Sequence, residues 1–313
     1  MKKVVFITGT GHCGSTLVDL ILGSHSRAFS LGEFWSAYRY LDKPDDESLG
    51  MCGICADDCS FWDEKVSRKK LRSHFRGFDS KNKFIFHLGR RFGSAQTNIY
   101  KHLFEVSHTD VLIDSSKPIP RIKRQLFPFW QWRNMKPYLL YVTRDGRAIT
   151  NSYLRKYPEK GMKHFANQWK TGTLEREAYF ETFPEAQRYR LSYEDITTKP
   201  EAVVQDLCRW LDLPYEPNML QYWQQDHHMI AGNLGPRLLV FKYREQFGGD
   251  EIAYWSEVNK DDKYVEQSYY DQLGLAIRMD LRWKTELSEE QLEQFYEVAG
   301  DVNQQYAYEP TDS

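Results

Sequence analysis

The stretch FITGTGHCGSTLVDLILGSH, residues 6–25, decides the fold. It leads from the end of an apolar segment through three glycines into residues whose apolar side chains recur at helical spacing. A strand, glycine loop and helix in this order predict a phosphate site, because the loop N–H groups and the positive helix end face one point. Gly9 and Gly14 have the gap of G-x-x-x-x-G-K-[ST], but Ser15 stands in the lysine position. The loop therefore lacks the lysine of ATPases and GTPases.

The same order of elements recurs along the chain. Buried strands are predicted at residues 3–8, 110–114, 137–143 and 188–193, and a helix-compatible segment follows each of them. Strands that alternate with helices favour a parallel sheet covered on both faces, with ligands beyond the carboxyl ends of the strands. The predicted fold class is α/β, a P-loop-type parallel sheet flanked by helices, in a single domain with helical insertions.

The segments between these units are less regular. Residues 41–60 and 226–250 are predicted as loops, and residues 61–108 as mostly helical. The single domain is expected to span residues 1–313, with a less assignable helical portion from about residue 240. Ser288 and Gln291 fit the Ser-x-x-Gln form of a capping box at the start of a last helix.

Charge and hydropathy exclude several classes of protein. Lys and Arg number 42 against 44 Asp and Glu, so the net charge of −2 gives no general attraction to nucleic acid or to anionic membranes. The first apolar run is too short for a secretory signal, and no run reaches the roughly 18 apolar residues of a membrane span. A soluble, cytoplasmic protein without nucleic-acid partners is expected.

Three of the five cysteines, Cys52, Cys55 and Cys59, lie close together. With His74 or His87 downstream they could supply a zinc site, but a fourth ligand at a recognised spacing is lacking. Reduced thiols with a structural or incidental role are the favoured interpretation, and metal binding by these cysteines stays open.

A second anion site is predicted where the third strand ends, in YVTRDGRAITNSYLRKY. Arg144 lies at the end of the strand, and Asp145 can cap the next helix, on which Ala148, Ser152 and Arg155 share a face. A guanidinium fork with a nearby hydroxyl is a good receptor for a separate phosphate. Taken alone, the pair is better explained as a surface arginine and a surface serine, because such pairs occur often by chance.

Six motifs occur in a fixed order: GTGHCGSTLVDLIL, LGEF, DSSKP, RDGRAITNS, LSYEDI and GNLGPR. Together they resemble the sulfotransferases that use 3'-phosphoadenosine-5'-phosphosulfate (PAPS), in particular bacterial members and the tyrosylprotein and carbohydrate branch. The motifs run from residue 4 to about residue 237, roughly three quarters of the chain.

The resemblance implies PAPS as donor, adenosine 3',5'-bisphosphate (PAP) as product, and no required metal. The first loop would hold the 5'-phosphosulfate, while a second set would hold the 3'-phosphate and the rest of the nucleotide. The implied nucleotide-binding residues are Gly11, His12, Cys13, Gly14, Ser15, Thr16, Arg144, Ser152, Tyr193, Gly232, Asn233 and Arg237.

The resemblance also implies catalytic roles. Glu33 matches the glutamate that serves as base in the tyrosylprotein relatives, with His25 in reserve, and Lys117 could stabilise the sulfuryl oxygens or the leaving phosphate. Where the family usually has Lys or Arg in its loop, this chain has His12. Either His12 acts as an imidazolium, or Lys117 supplies the cation. Ser115 is, with the serine after it, a possible further donor.

The implied partner is a hydroxyl-bearing acceptor, which could be a small molecule, a glycan or a peptide. Arg121, Lys123 and Arg124 could receive an acidic acceptor, although a solvated helix face explains them more simply. A P-loop kinase, with Asp114 as its magnesium ligand, and a noncatalytic nucleotide-binding protein of the same fold are the alternatives. The sequence leaves the acceptor and the oligomeric state open.

Overall fold

The computed structural model describes residues 1–44, 47–55, 59–75, 99–126, 133–247, 269 and 274–309. Its centre is a five-stranded parallel sheet with the strand order β2-β3-β1-β4-β5. The strands are β1 (Lys2–Thr8), β2 (Ala28–Gly32), β3 (Val111–Asp114), β4 (Met135–Thr143) and β5 (Arg188–Ser192). The predicted α/β fold with a parallel sheet is confirmed.

Helices lie between the strands and after the last strand. The α-helices are α1 (Ser15–Gly23), α2 (Arg68–Phe75), α3 (Ile99–Ser107), α4 (Ile119–Leu126), α5 (Gly146–Lys156), α6 (Met162–Phe180), α7 (Tyr193–Thr198), α8 (Pro200–Trp210), α9 (Leu234–Phe247), α10 (Trp283–Glu286) and α11 (Glu289–Asn303). Short 3-10 segments occupy Phe34–Tyr40, Pro158–Lys160, Glu185–Gln187 and Pro217–Gln224, and a π-helix occupies Ser60–Lys65. No described helix is both long and apolar enough to cross a membrane.

The central strand β1 sets the position of the site. Residues 4–7 of this strand are fully buried, as expected for a parallel strand covered on both faces. β1 pairs with β3 on one side and with β4 on the other. The chain therefore builds one half of the sheet (β2 and β3) on one side of β1 and then adds β4 and β5 on the opposite side. The loop that follows β1 therefore lies at the switch point of the sheet, where a crevice for ligands forms beyond the strand ends.

Strand β2 is not among the strands predicted from the sequence. The strand pairs with β3 at the sheet edge, with a register irregularity between Ser30 and Gly32. It has one serine inside, ends in glycine and lacks β-branched residues, so its composition gives a weak strand signal. Pairing with β3, and not local propensity, forms this strand.

The predicted loop at residues 226–250 is wrong in its second half, because α9 covers Leu234–Phe247. Gly235 and Pro236 suggest a loop, but they lie in the first helical turn, where a missing N–H is tolerated. The Asn233 side chain accepts a hydrogen bond from the Gly235 N–H at 3.0 Å and caps this end.

Helices in residues 61–108 are confirmed where the structure describes them, namely α2 and α3, while residues 76–98 lie outside the described part. The capping box of α11 is confirmed, with reciprocal Ser288 and Gln291 hydrogen bonds of 3.2 and 2.9 Å. α11 also packs on the site-bearing helices, since Phe295 is fully buried and Asn303 accepts from the Gly146 N–H at 2.7 Å. The boundaries of the single domain stay a prediction.

Candidate nucleotide-binding site

A cavity of about 350 Å³ opens at the carboxyl edge of the sheet, above β1 and β4. Its lining combines the first glycine loop, Arg144 before α5, the second half of α5, the start of α7, the residues before α9 and the segment before α10. Most of the predicted site residues line it: Gly11, His12, Gly14, Ser15, Thr16, Glu33, Lys117, Arg144, Ser152, Tyr193, Gly232 and Asn233. The two predicted anion sites thus share one cavity.

The first loop presents the amino-terminal end of α1 to this cavity. Gly14 precedes Ser15 with φ 94°, and no side chain caps the helix. A Cβ atom on Gly14 would lie 2.5 Å from the Tyr193 ring, so both the positive φ and the close packing require glycine here. The uncapped N–H groups and the helix dipole favour an anion at this end of the cavity.

The second anion site contains Arg144, which is buried directly after β4. Its Nη1 donates to the His12 carbonyl at 2.8 Å, and its guanidinium lies 4.2 Å from the centre of the Tyr193 ring. Nε of Arg144 has no hydrogen-bond partner among the described residues. A buried donor without a partner costs stability, which a ligand that accepts its hydrogen bond would recover.

Further cations surround Arg144. The Asp280 carboxylate lies among three guanidinium groups. It is 2.8 Å from Arg282, 3.7 Å from Arg144 and 3.8 Å from Arg155. Burial opposes ionisation of Asp280, but the Arg282 hydrogen bonds and the Arg144 charge outweigh it and lower its pKa. Ser152 lies beside this group, where its Oγ donates to the Ala148 carbonyl at 2.9 Å. Three guanidinium groups around one carboxylate leave an excess of positive charge.

Asp280, Arg278 and Arg282 line the cavity but are not among the site residues predicted from the sequence. They lie in LAIRMDLRW, where two arginines flank an aspartate just before a tryptophan. Alternating charges in an apolar segment were the available signal, but the chain after residue 240 carried no recognised motif. Only the tertiary structure brings this segment to Arg144, which lies 136 residues before Asp280.

His12 lies between the two anion sites. Its backbone has φ 63°, and its ring packs edge-on against Tyr153 with ring centres 4.8 Å apart. Burial, and then the charges of Arg144 and Lys117, lower the pKa of His12 to about 4. The imidazole is therefore neutral at pH 7 in this structure, and Arg144 and Lys117 are cations close to the loop.

Glu33 and Lys117 meet at the cavity wall. Lys117 Nζ donates to Glu33 Oε1 at 2.6 Å, and the two side chains are 19% and 22% exposed. Glu33 lies directly after β2, where its N–H donates to the Ile230 carbonyl at 2.7 Å, and Lys117 lies beyond β3 with φ 47°. Two neighbouring strand ends therefore place a carboxylate and an ammonium group in direct contact.

The late loop reaches the first loop through a backbone contact. The Asn233 N–H donates to Thr16 Oγ1 at 2.9 Å. Gly232, with φ 101°, packs against the same threonine. Arg237 does not line the cavity, since it is buried and donates to the Gly53 carbonyl at 2.6 Å. The structure therefore brings Gly232 and Asn233 to the site and leaves Arg237 behind it.

Several other candidates also lie outside the cavity. The Cys13 side chain is buried next to Gly9. His25 is buried away from the site and bonds the Pro214 carbonyl at 2.8 Å, so it is wrong as a reserve base. Ser115 donates to buried Asp19 at 2.5 Å and is not a cavity donor.

Asp114, the proposed magnesium ligand of the kinase alternative, is fully buried. Its carboxylate accepts from the Ser116 N–H at 3.0 Å, from the Ser116 hydroxyl and from the Tyr100 hydroxyl at 3.2 Å. Asp114 does not line the cavity, and neither does Ser116. The carboxylate is therefore not presented to a bound nucleotide, which removes the sequence feature that favoured a kinase.

The fold and the cavity define an α/β protein with a glycine loop and two cationic regions in one cleft. The family model described as "Sulfotransferase family" matches residues 4–217. The chain belongs to this sulfotransferase family, as its motifs predict.

Solved structures are similar at low sequence identity. The sulfotransferase domain of the Synechococcus PCC 7002 olefin synthase is 16% identical, with a TM-score of 0.50 over 99% of this chain and 96% of that one. The sulfotransferase domain from the curacin biosynthetic pathway is 19% identical, with a TM-score of 0.47 over 74% and 81%. Retinol dehydratase in complex with retinol and PAP is 13% identical, with a TM-score of 0.41 over 98% and 83%. Comparison with curated proteins gives no match.

Proposed function

We propose that this protein transfers a sulfuryl group from PAPS to an acceptor hydroxyl. Family membership supports the class of reaction. The single observation that carries the proposal is the shared cavity, in which a helix amino terminus and a guanidinium cluster face the same space. PAPS has two anionic ends on one adenosine, and the cavity offers one receptor for each.

The first receptor would take the 5'-phosphosulfate. The uncapped N–H groups at the start of α1, the Thr16 hydroxyl and Lys117 are the donors on this side. A sulfuryl group carries less negative charge than a terminal phosphoryl group, so these donors suffice without the lysine of the usual phosphate loop.

The second receptor would take the 3'-phosphate. Arg144 offers an Nε that has no partner among the described residues, and Arg155, Arg282 and Ser152 surround the same point. In this structure Asp280 occupies the centre of the cluster, at 2.8 to 3.8 Å from the three guanidinium groups. A carboxylate there stands where phosphate oxygens would be held, so the arrangement suits an anion with more oxygens than a carboxylate has.

Glu33 is the proposed general base. It would accept the proton of the acceptor hydroxyl while the acceptor oxygen forms its bond to sulfur. The bond from sulfur to the bridging phosphate oxygen breaks at the same time, and PAP leaves with the electron pair. Lys117, 2.6 Å from Glu33 in this structure, is placed to stabilise charge on the leaving phosphate. The pair thus joins base and electrophilic cation at one point.

His12 would act as a neutral group. Its pKa of about 4 means that an imidazole, not an imidazolium, faces the nucleotide at neutral pH. A bound dianion would raise this pKa, because it counters the charges of Arg144 and Lys117. His12 therefore serves best as a hydrogen-bond donor to the phosphosulfate, and Lys117 as the cation of the reaction.

The first test compares ligands. PAP should raise the melting temperature of the protein, whereas ATP with magnesium should raise it little. The second test measures transfer of labelled sulfate from PAPS to a panel of phenols, peptides, glycans and lipid or polyketide alcohols, and compares wild type with Glu33→Ala. The exposed Glu159→Ala is the matched control, because Glu159 lies outside the cavity.

The outcomes separate the alternatives. Transfer that Glu33→Ala abolishes and Glu159→Ala leaves intact supports the enzyme and its base. Stabilisation by PAP without transfer to any acceptor would favour a noncatalytic nucleotide-binding protein of the same fold. Stabilisation by ATP with magnesium and not by PAP would overturn the proposal. We further propose a cytoplasmic location and a small-molecule, glycan or peptide acceptor.

A further inference from the structure

A second group of chemistry-bearing side chains lies outside the nucleotide cavity. The side chains of Cys52, Cys55, Cys59 and His228 place their ligand atoms within 4.8 Å of one another. His228 Nδ1 lies 3.3 Å from the sulfur of Cys59 and 3.4 Å from the sulfur of Cys55. We propose that these four residues bind one structural zinc ion.

The distances suit the metal. Zinc bonds of about 2.3 Å to sulfur and about 2.0–2.1 Å to nitrogen, in a tetrahedron, put ligand atoms roughly 3.6–3.8 Å apart. The observed separations need only small adjustments to reach that geometry. Three thiolates with one imidazole are a common closed set for structural zinc, and such soft ligands disfavour magnesium or calcium. Binding would displace whatever protons the thiols and the imidazole Nδ1 carry, and it requires no oxidant.

The sequence could not show this set, because the fourth ligand lies 169 residues after Cys59. His74, which the sequence offered as the fourth ligand, instead bonds the Gln125 side chain at 2.8 Å. The other offered histidine, His87, lies outside the described residues. Folding, and not spacing, assembles the four ligands.

A surrounding shell orients the ligands. The second ring nitrogen of His228, Nε2, lies 3.1 Å from Asp226 Oδ2, so a carboxylate fixes the ring with Nδ1 toward the sulfurs. The ring also stacks on Phe61, with centres 5.7 Å apart. On the cysteine side, the Cys55 N–H donates to Cys52 Sγ at 3.3 Å. Oriented ligands of this kind are typical of a built metal site.

The cluster lies behind a wall of the nucleotide cavity. The Gly53 N–H donates to the Met229 carbonyl at 2.7 Å, and residue 52 forms an isolated antiparallel bridge with Ile230. Ile230 in turn accepts from the N–H of Glu33, and Gly232 follows in the cavity lining. A metal here would clamp the cysteine loop to the segment that supports Glu33 and the late loop. The role we assign to it is therefore structural.

The first experiment uses the wild-type protein, purified under reducing conditions without chelators. Elemental analysis should find about one zinc per chain. After removal of zinc, addition of cobalt(II) should produce a thiolate-to-cobalt charge-transfer band. Absence of zinc together with absence of that band would overturn the proposal, whatever any variant does. This test does not involve PAP, so it can fail while the sulfotransferase proposal stands, and the reverse is also true.

Variants then test the individual ligands. Cys59→Ser and His228→Ala should lose the bound zinc and melt at lower temperature. Cys208→Ser is the matched control, because Cys208 is a buried free cysteine on α8, outside the cluster. Asp226→Asn should keep the stoichiometry and weaken zinc about 10- to 100-fold in competition with a chelator. Full zinc in both His228→Ala and Cys59→Ser would contradict the assignment.

One further measurement uses only the wild-type protein, so its result does not depend on whether the variants fold. In the wild-type protein, alkylation followed by mass spectrometry should label the cluster cysteines only after a chelator is added. Cys55, the half-buried member of the cluster, should respond first. Equal labelling of Cys55 with and without chelator would refute zinc binding by the cysteines. A disulfide between two of them would appear in the same spectra and would also count against the proposal.

Discussion

Arg144→Gln tests the second anion receptor directly. The substitution removes the guanidinium at the end of β4 and keeps a side chain that can still donate one hydrogen bond. It deletes the 2.8 Å bond to the His12 carbonyl, a 3.0 Å bond to the Asp280 carbonyl and the contact with the Tyr193 ring. The free energy of unfolding of the ligand-free protein should therefore fall, by roughly 1–3 kcal/mol.

The effect on PAP should be larger than the effect on a ligand that lacks the 3'-phosphate. A hydrogen bond to a charged group contributes about 1.5–3 kcal/mol, so the loss of Arg144 should raise the Kd for PAP about 10- to 150-fold. Arg155 and Arg282 remain in the cavity and hold part of the charge. The affinity for adenosine 5'-monophosphate, which has only the 5' anion, should fall much less than the affinity for PAP.

Calorimetric titration of both ligands into both proteins gives the assay. The wild type should prefer PAP strongly over the monophosphate, and Arg144→Gln should lose most of that preference. Arg190→Gln is the matched control, because Arg190 is a partly exposed arginine that pairs with Glu177 outside the cavity. Circular dichroism would confirm that each variant is folded.

Two results would refute this reasoning. An unchanged Kd for PAP in the folded variant would show that Arg144 does not read the nucleotide. An equal loss of affinity for both ligands would show that the variant damages the loop at His12, not a 3'-phosphate receptor.

Three further predictions follow from the site and its surroundings. Glu33→Gln should lower kcat for sulfate transfer about 10²- to 10⁴-fold and leave PAP binding nearly unchanged, measured by steady-state kinetics and titration. His12→Gln should cost little at pH 8, because its pKa of about 4 makes the imidazole neutral, whereas Lys117→Met should cost on the order of 10²-fold or more in kcat. Burial raises the pKa of Asp19 to about 7, above its unfolded value, so the folded state keeps a proton that the unfolded state loses between about pH 4 and pH 7. The free energy of unfolding should therefore fall over this range by at most about 4 kcal/mol, and Asp19→Asn should flatten the dependence in urea titrations at several pH values.

Each of these predictions has a contradictory outcome. Retention of full kcat in Glu33→Gln would show that Glu33 is not the general base. A large loss of kcat in His12→Gln, with little loss of kcat in Lys117→Met, would show that His12 and not Lys117 acts as the cation. A steeper pH dependence in Asp19→Asn than in wild type would show that the Asp19 carboxyl is ionised in the folded protein.

The sequence by itself determined the sheet and the family. Apolar runs predicted β1, β3 and β4, because a parallel strand buried on both faces needs apolar residues throughout. The short run RYRLSY before a helical segment predicted the edge strand β5. The glycine loop after β1 and the arginine after β4 follow strand ends, and parallel strands end at one edge. Local sequence therefore predicted that both candidate anion receptors lie in one cleft.

Contacts between distant segments decided the rest. β2 forms because β3 pairs with it, and its own composition gives little strand signal. Asp280 with its neighbouring arginines reaches the cavity from a segment without a recognisable motif, and Arg237 turns away to Gly53. His228 completes the cysteine cluster from 169 residues along the chain. The spacing of residues in a sequence identifies side chains that are close along the backbone. Burial, ion pairing and ligand geometry depend instead on side chains that are close in space.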